Sequence, residues 1–321
     1  MNKKELSEIG EIKLIEKIRK KMKRGKGVIV GIGDDCAVLK VGDSDNLLLT
    51  SDLLVEGVHF YPNVNPRYLG WKALAVSLSD ISAMGGKPLF SLLSLSLPSH
   101  LSEKWLNDFL SGWEELASIF DVSLVGGDMS EGERIVIDSI VLGEAKSPIL
   151  RSGAEVGDNI FVTGYLGDSA GGLFSLQEGL DFPSLITKHN KPFPRVREGM
   201  EIGRIPGVHS MIDISDGLAS DLKHICDGSG KGAIIFPDKI PLSPDLLSLC
   251  QSQNLSPLDF ALFGGEDYEL LFTGESWVKE KISFPIYEIG EIVEEKGIWL
   301  VEGEKRRKLA RKGFEHFRKR V

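Results

Sequence analysis

A two-domain protein of interleaved strands and helices is the fold the sequence predicts, and three observations lead to it. The chain has 321 residues with 42% hydrophobic content, enough for large cores, and at about 150 residues per domain that length suggests two units. Short apolar runs of strand character alternate with longer stretches of helical period. After Gly143 the text changes to turn-forming residues, KSPILRSGAEVGDNIF, which sets a boundary near residues 146–152 and divides the chain into 1–147 and 148–321.

In chain order, the first expected element is an amphipathic helix, with Leu6, Ile9, Ile12, Leu14, Ile15 and Ile18 set among charges. Residues 28–30 and 47–50 read as strands, the second ending abruptly in Thr50, Ser51 and Asp52. Residues 69–84 read as a helix stopped by Gly85 and Gly86. In the strand expected at 89–97, Leu93, Leu95 and Leu97 alternate with Ser94 and Ser96, the period of a sheet with unlike faces. Ser102 is a candidate N-cap for a helix reaching Phe120, in which Trp105, Phe109, Trp113, Leu116 and Phe120 stack at core spacing. A strand follows at 134–142. In the second half, strands are expected at 160–163, 233–236 and 268–273, and helices at 215–227 and 244–253.

The net charge of −9 disfavours non-specific binding to nucleic acid or to an anionic membrane. Residues 304–321 carry nine Lys or Arg against two Glu, a local +7 that leaves the remainder at −16. Without aromatic residues arranged for base stacking, that tail reads as a solvated end rather than a nucleic-acid arm. Cys36, Cys226 and Cys250 form no CxxC pair, so the expectation is buried thiols in a reducing cytoplasm. No 18-residue apolar run and no signal-peptide core is present, so no membrane association is expected.

Carboxylates gather at the ends of apolar elements. GIGDDCAVL, TSDLLVEGVHF, SLSDISAMGG, VGGDMS and IDISDGLASDL together offer Asp34, Asp35, Asp52, Asp80, Asp128, Asp213, Asp216 and Asp221. Asp80 shares a helical stripe with Ala73, Val76, Ala83 and Met84, and a buried carboxylate without a partner costs several kcal/mol. A cation is the expected partner, with a buried Arg or Lys or backbone amides as the alternative. GSGKG at 228–232 lacks the remaining P-loop residues, and GIGDDC would set two acids against a bare pyrophosphate. Mg²⁺ between acids and phosphates resolves that repulsion. Calcium storage fits poorly, because the acids are scattered rather than grouped in one loop.

GIGDDCAVL, TSDLLVEGVHF, GWKALAVSLSDISAMGGKPL, VGGDMS, IDISDGLASDL and FGGEDYELLFT occur in an order and spacing that resembles the thiamine-monophosphate kinase family. That family belongs to the superfamily of aminoimidazole ribonucleotide synthetase. The resemblance implies an α+β, two-domain fold in which each domain is a mixed β-sheet packed against helices. It also implies N-terminal domains that pair in a homodimer, with a nucleotide groove between the two domains of each chain. The implied activity is transfer of the γ-phosphoryl group of ATP to thiamine monophosphate, with several Mg²⁺ ions assisting. The alternatives are another ATP-dependent enzyme of the superfamily, or a Mg-nucleotide-binding protein without turnover.

Carried over by the resemblance, Asp35, Thr50, Ser51, Asp52, Asp80, Asp128, Asp213 and Asp216 are metal ligands, and their carboxylates belong to the catalytic machinery. Gly127, Asp128, Arg151 and Ser215 are ATP contacts, with Arg151 supplying fixed positive charge near the transferring group. His59, Glu266 and Phe314 are substrate contacts. On the residues alone, Asp34 caps a turn while Asp35 turns inward, and Asp221 lies on a helix surface. Ser215 and Asp216 could instead form an N-cap pair, His59 could be a core histidine, Glu266 a turn acid facing water and Phe314 a packing residue. Two departures from the family pattern are Lys191, where Arg is common, and Leu110, where an aromatic ring is common.

Overall fold

The computed structural model describes residues 6, 10–42 and 45–309. Phe314, Ile9 and the greater part of the basic tail lie outside the described residues. The N-terminal half is one six-stranded sheet made of β1 (Val28–Val30), β2 (Ala37–Leu39), β3 (Asn46–Val55), β4 (Lys87–Leu97), β5 (Ser123–Glu131) and β6 (Val136–Ala145). Their order is β1-β2-β3-β6-β4-β5, antiparallel except where β4 and β5 run parallel. The sequence reading missed β2 and β5. The first is three residues long, and the second carries Gly126 and Gly127 and follows the sheet edge with every residue exposed, so neither shows a buried alternation.

One face of this sheet is covered by α2 (Pro66–Ala83), against which α3 (Glu103–Phe120) packs. Asn65 caps α2 by accepting from the Arg67 amide at 2.9 Å, Pro66 takes the first helical position, and Gly85 leaves the helix at φ +68. Ser102 caps α3 as expected, accepting from Trp105 N at 3.1 Å. The two helices cross closely because glycines stand at the contact: a Cβ on Gly70 would lie 1.9 Å from Phe109 O, and one on Gly112 would lie 1.7 Å from Arg67 O. α2 is buried almost all round, since it also meets the second half of the chain. The first helix, α1 (Glu11–Lys21), has the expected amphipathic pattern but buries no residue.

The second sheet has seven strands in the order β13-β12-β9-β11-β7-β10-β8. They are β7 (Asn159–Val162), β8 (Val208–Asp213), β9 (Gly232–Ile235), β10 (Leu270–Gly274), β11 (Tyr287–Val293), β12 (Gly297–Glu302) and β13 (Lys305–Lys308). Six further helices accompany it: α4 (Asp168–Glu178), α5 (Pro183–Asn190), α6 (Val196–Ile202), α7 (Leu218–Ser229), α8 (Pro244–Gln253) and α9 (Pro257–Phe263). The halves are joined by shared packing. Val196 and Tyr268 enter the N-terminal core, and Ala83 enters the core of the second sheet. The Trp71 indole donates to Pro192 O at 2.5 Å. Lys191 sits 4.0 Å from the centre of the Trp71 ring and 2.9 Å from Glu115, so its charge is committed to this junction. Among the described residues, no helix is long and apolar enough to cross a membrane.

Candidate active site

The site forms where β3, α2 and β8 converge. On β3 the side chains alternate, so Thr50 and Asp52 turn toward α2 while Ser51 turns to the exposed face. Asp80 comes from the last turn of α2, and Asp213 from the end of β8. Asp35 arrives on the loop after β1. One carboxylate oxygen each from Asp35, Asp80 and Asp213 falls within 4.8 Å of the others, so both halves of the chain contribute to one acidic centre.

Hydroxyls orient these acids. Thr50 Oγ1 donates to Asp80, Ser77 Oγ donates to Asp52 Oδ2 at 2.8 Å, and Ser79 Oγ donates to Asp213 Oδ2 at 2.6 Å. Arg151 Nη2 lies 2.6 Å from Asp35 Oδ1. Asp34 turns the other way and accepts from the amides of Asp35 and Arg151, the division of labour expected of adjacent side chains. Asp35 Oδ2 is buried and has no hydrogen-bond partner among the described residues.

Burial, and after it mutual repulsion, raises the carboxyls of Asp80, Asp213 and Asp52. Burial first, then Asp52, Asp213 and Asp35, push Asp80 well above the usual carboxylate range. Burial and the charge of Asp35 raise Asp213 to about 7, and burial raises Asp52 to about 6 against the pull of the Ser77 hydroxyl. For Arg151 burial pulls downward, but Asp35 outweighs it and fixes the guanidinium charge. Such a centre relieves its own repulsion by taking a hard cation. All-oxygen donors, a threonine hydroxyl beside them and the unsatisfied Asp35 oxygen fit Mg²⁺.

Other expected residues stand elsewhere. Ser51 donates to Asp138 at 2.7 Å on the outer face of the sheet. Asp128 on β5 pairs in register with Ser94 on β4, and β6 and β4 stand between β5 and β3, so the chain by itself does not bring Ser51 or Asp128 into the acidic centre. Gly127 has φ +153, and a Cβ there would lie 1.8 Å from Leu93 O, which only glycine permits. Asp221 is not helix surface. It is 1% exposed and reaches back from the first turn of α7 to accept from the amides of Ser215 and Asp216 at 3.1 Å each. Ser215 and Asp216 therefore do not cap α7. Asp221 instead shapes their turn and leaves both side chains half-buried beside Asp213.

A second cluster lies next to this centre. Glu266 has a left-handed backbone, φ +64, and its carboxylate meets Lys72 at 3.1 Å and His189 at 3.2 Å, so it is not a turn acid facing water. Burial pushes Glu266 upward, but Lys72 first and then His189 outweigh it and hold the carboxyl below its ordinary range; His59 contributes in the same sense. His59 is half-buried and accepts from the Val55 amide at its Nδ1. Lys72, Ser77, Ser79 and His189 were not singled out from sequence. A lysine and two serines inside the apolar run GWKALAVSLSD were the available signal.

The chain matches known proteins along nearly its whole length. Residues 33–145 match the family model described as AIR synthase related protein, N-terminal domain, and residues 155–301 match its C-terminal domain. Thiamine-monophosphate kinase of Buchnera aphidicola (Acyrthosiphon pisum strain) is 39% identical over 96% of this chain and 98% of its own length. The enzyme of the same name from Aquifex aeolicus is 38% identical over 97% of this chain and 99% of its own length. A solved structure of AaThiL complexed with AMPPCP and TMP superposes with a TM-score of 0.90 at 36% identity, covering 98% of this chain and 100% of the other.

Proposed function

Since the chain belongs to the AIR synthase related proteins and, within them, to the thiamine-monophosphate kinases, we propose a division of labour among its residues in that reaction. The reaction transfers the γ-phosphoryl group of ATP to thiamine monophosphate, giving thiamine diphosphate and ADP. The observation that carries the reading is the meeting of Asp35, Asp80 and Asp213 from both halves in one buried acidic centre.

Asp35, Asp52, Asp80 and Asp213, with Thr50 and the adjacent Asp216, would hold several Mg²⁺ ions. When bound, the ions neutralise the phosphates and polarise the transferring group. The acceptor is itself a phosphate dianion near neutral pH and needs no general base, so positioning and charge relief are the whole of the protein's task. Arg151 keeps a fixed positive charge beside Asp35, where it steadies that ligand and faces developing charge on the phosphoryl oxygens. Ser215 is a backbone approach to ATP, Gly127 approaches it only from a second subunit as Asp128 does, and His59 and Glu266 contact thiamine monophosphate; Phe314, the third expected contact, lies outside the described residues.

A homodimer through the N-terminal sheet belongs to the same reading. Its outer face exposes Leu49, Leu53, Phe90 and Leu92, and β5 is an uncovered edge. Within one chain two strands separate Asp128 from Asp52, so Asp128 reaches an acidic centre only in a second subunit. Free, buried Cys36, Cys226 and Cys250 favour a reducing cytoplasm.

The test is incubation of the purified chain with ATP, Mg²⁺ and thiamine monophosphate. Thiamine diphosphate should appear in step with ADP. A folded, ATP-binding protein that makes none would overturn the reading.

A further inference from the structure

Glu266 is held by a lysine to which the phosphoryl transfer assigns no task. Lys72 lies on α2 with its side chain 3% exposed, and its ammonium contacts both Glu266 oxygens, 3.1 Å from Oε1 and 3.1 Å from Oε2. The two residues are 194 apart in sequence and come from different halves of the chain. A buried ammonium without a counter-ion is strongly destabilising, so the pair is fixed by the same packing that buries α2.

The main chain of Glu266 is fixed as well. Its amide donates to Ser215 O at 2.8 Å, and a Cβ on the preceding Gly265 would lie 2.3 Å from that same oxygen. His189, 4% exposed, adds a contact to Oε2 at 3.2 Å and shares its Nδ1 with Ser169 Oγ at 3.1 Å. About a quarter of the Glu266 side chain, 24%, remains open. A glutamate with a free χ-rotor would sample many directions, whereas this one presents a single aspect.

We infer that Lys72 is a positioning residue for the acceptor: by clamping Glu266 across the domain junction it aims the open part of that carboxylate at the amine-bearing heterocycle of the acceptor, and it touches neither the acceptor nor ATP. This deepens the kinase reading and rests on it. Because the ammonium cancels the formal charge of Glu266, recognition there is a directed hydrogen bond more than a net attraction, which makes orientation the property Lys72 supplies.

The test compares Lys72→Met with wild type, varying each substrate in turn. The expected result is an acceptor KM raised about ten-fold or more, with KM for ATP and calorimetric binding of a non-hydrolysable ATP analogue within about two-fold. Glu266→Gln should raise the acceptor KM to a similar extent, and the double variant should be no worse than the poorer single one. Equal changes in both KM values, or additive losses in the double variant, would overturn the inference. Lys72→Gln, which keeps a donor of shorter reach, serves if the methionine variant does not fold. An acceptor KM unchanged in Glu266→Gln is decisive against the inference even if neither Lys72 variant folds. Wild type must form product in the same assay; its failure would bring down the kinase reading instead.

Discussion

Ser79 of α2 donates its hydroxyl to Asp213 Oδ2 at 2.6 Å, although the two residues are 134 positions apart and belong to different halves of the chain. The serine is fully buried and the aspartate nearly so. This bond fixes the one acid of the centre that comes from the second half of the chain. Removing a hydroxyl that orients a metal ligand typically costs about 10–100-fold in metal affinity. Ser79→Ala should therefore shift the Mg²⁺ concentration for half-maximal activity upward by about that factor, with about 1–3 kcal/mol lost in stability because a buried acceptor loses its donor. Magnesium titrations of activity, paired with calorimetric metal binding and thermal unfolding, check both halves of the statement.

Burial of its carboxyls, with their mutual repulsion second to it, gives the metal-free chain an unusual pH dependence. Asp213 is raised to about 7, and Asp52 and Asp34 to about 6, from an ordinary 3.8. A folded-state value above the unfolded one means the folded chain binds protons more tightly. The stabilisation from these groups is complete below about 3.8 and is lost as pH climbs through about 6 to 7. His189, buried and lowered to about 4 chiefly by that burial, acts in the opposite sense: its contribution is lost as pH falls from 6.5 toward 4. The Mg²⁺-induced rise in unfolding temperature isolates the carboxyls, and it should be larger at pH 8 than at pH 5. Equal shifts at the two pH values would count against a cation in this centre.

Much of the centre was legible because it obeys local periodicities. The helical period of α2 carries Asp80 on an apolar stripe, whereas grouping Ser51 with Thr50 and Asp52 overlooks the alternation of β3, which sends Ser51 to the other face. The neighbours Asp34 and Asp35 divide as adjacent side chains do. What could not be read was fixed by partners distant in sequence or by turn geometry. Ser79 and Lys72 look like polar interruptions of a core helix until Asp213 and Glu266 arrive. Asp221 fits a surface pattern in sequence, yet the turn ahead of α7 folds back over it. β5, exposed along both faces at the sheet edge, offered no buried alternation to detect.

The position of Asp128 makes a prediction about which subunit it serves. Asp128→Asn and Asp80→Asn should each reduce turnover by at least about 100-fold as homodimers, since each removes one charge from every site. If the partner's Asp128 completes the centre, mixing the two inactive variants and allowing subunits to exchange creates heterodimers with one intact site. Random pairing then restores about a quarter of wild-type activity. Should the mixture stay as inactive as its components while native mass analysis confirms exchange, Asp128 acts within its own chain or not at all.

The junction of α2 and α3 sets a stability prediction independent of the chemistry. A methyl group on Gly70 would stand 1.9 Å from Phe109 O, a backbone atom that cannot rotate away. Gly70→Ala must therefore push the helices apart, and since α2 carries Ser77, Ser79 and Asp80, the displacement reaches the acidic centre. Overpacking of this kind costs about 1–3 kcal/mol, and a fixed backbone partner puts this case at the upper end or beyond. Gly25→Ala is the control, because its added methyl meets nothing nearer than Val28 Cγ2 at 4.0 Å. It should stay within about 0.5 kcal/mol of wild type. Denaturant unfolding measures the two variants side by side. A Gly70→Ala chain as stable as the control would mean that the helices have slack at their crossing, and the close α2–α3 contact would then not be what holds Asp80 against Asp213.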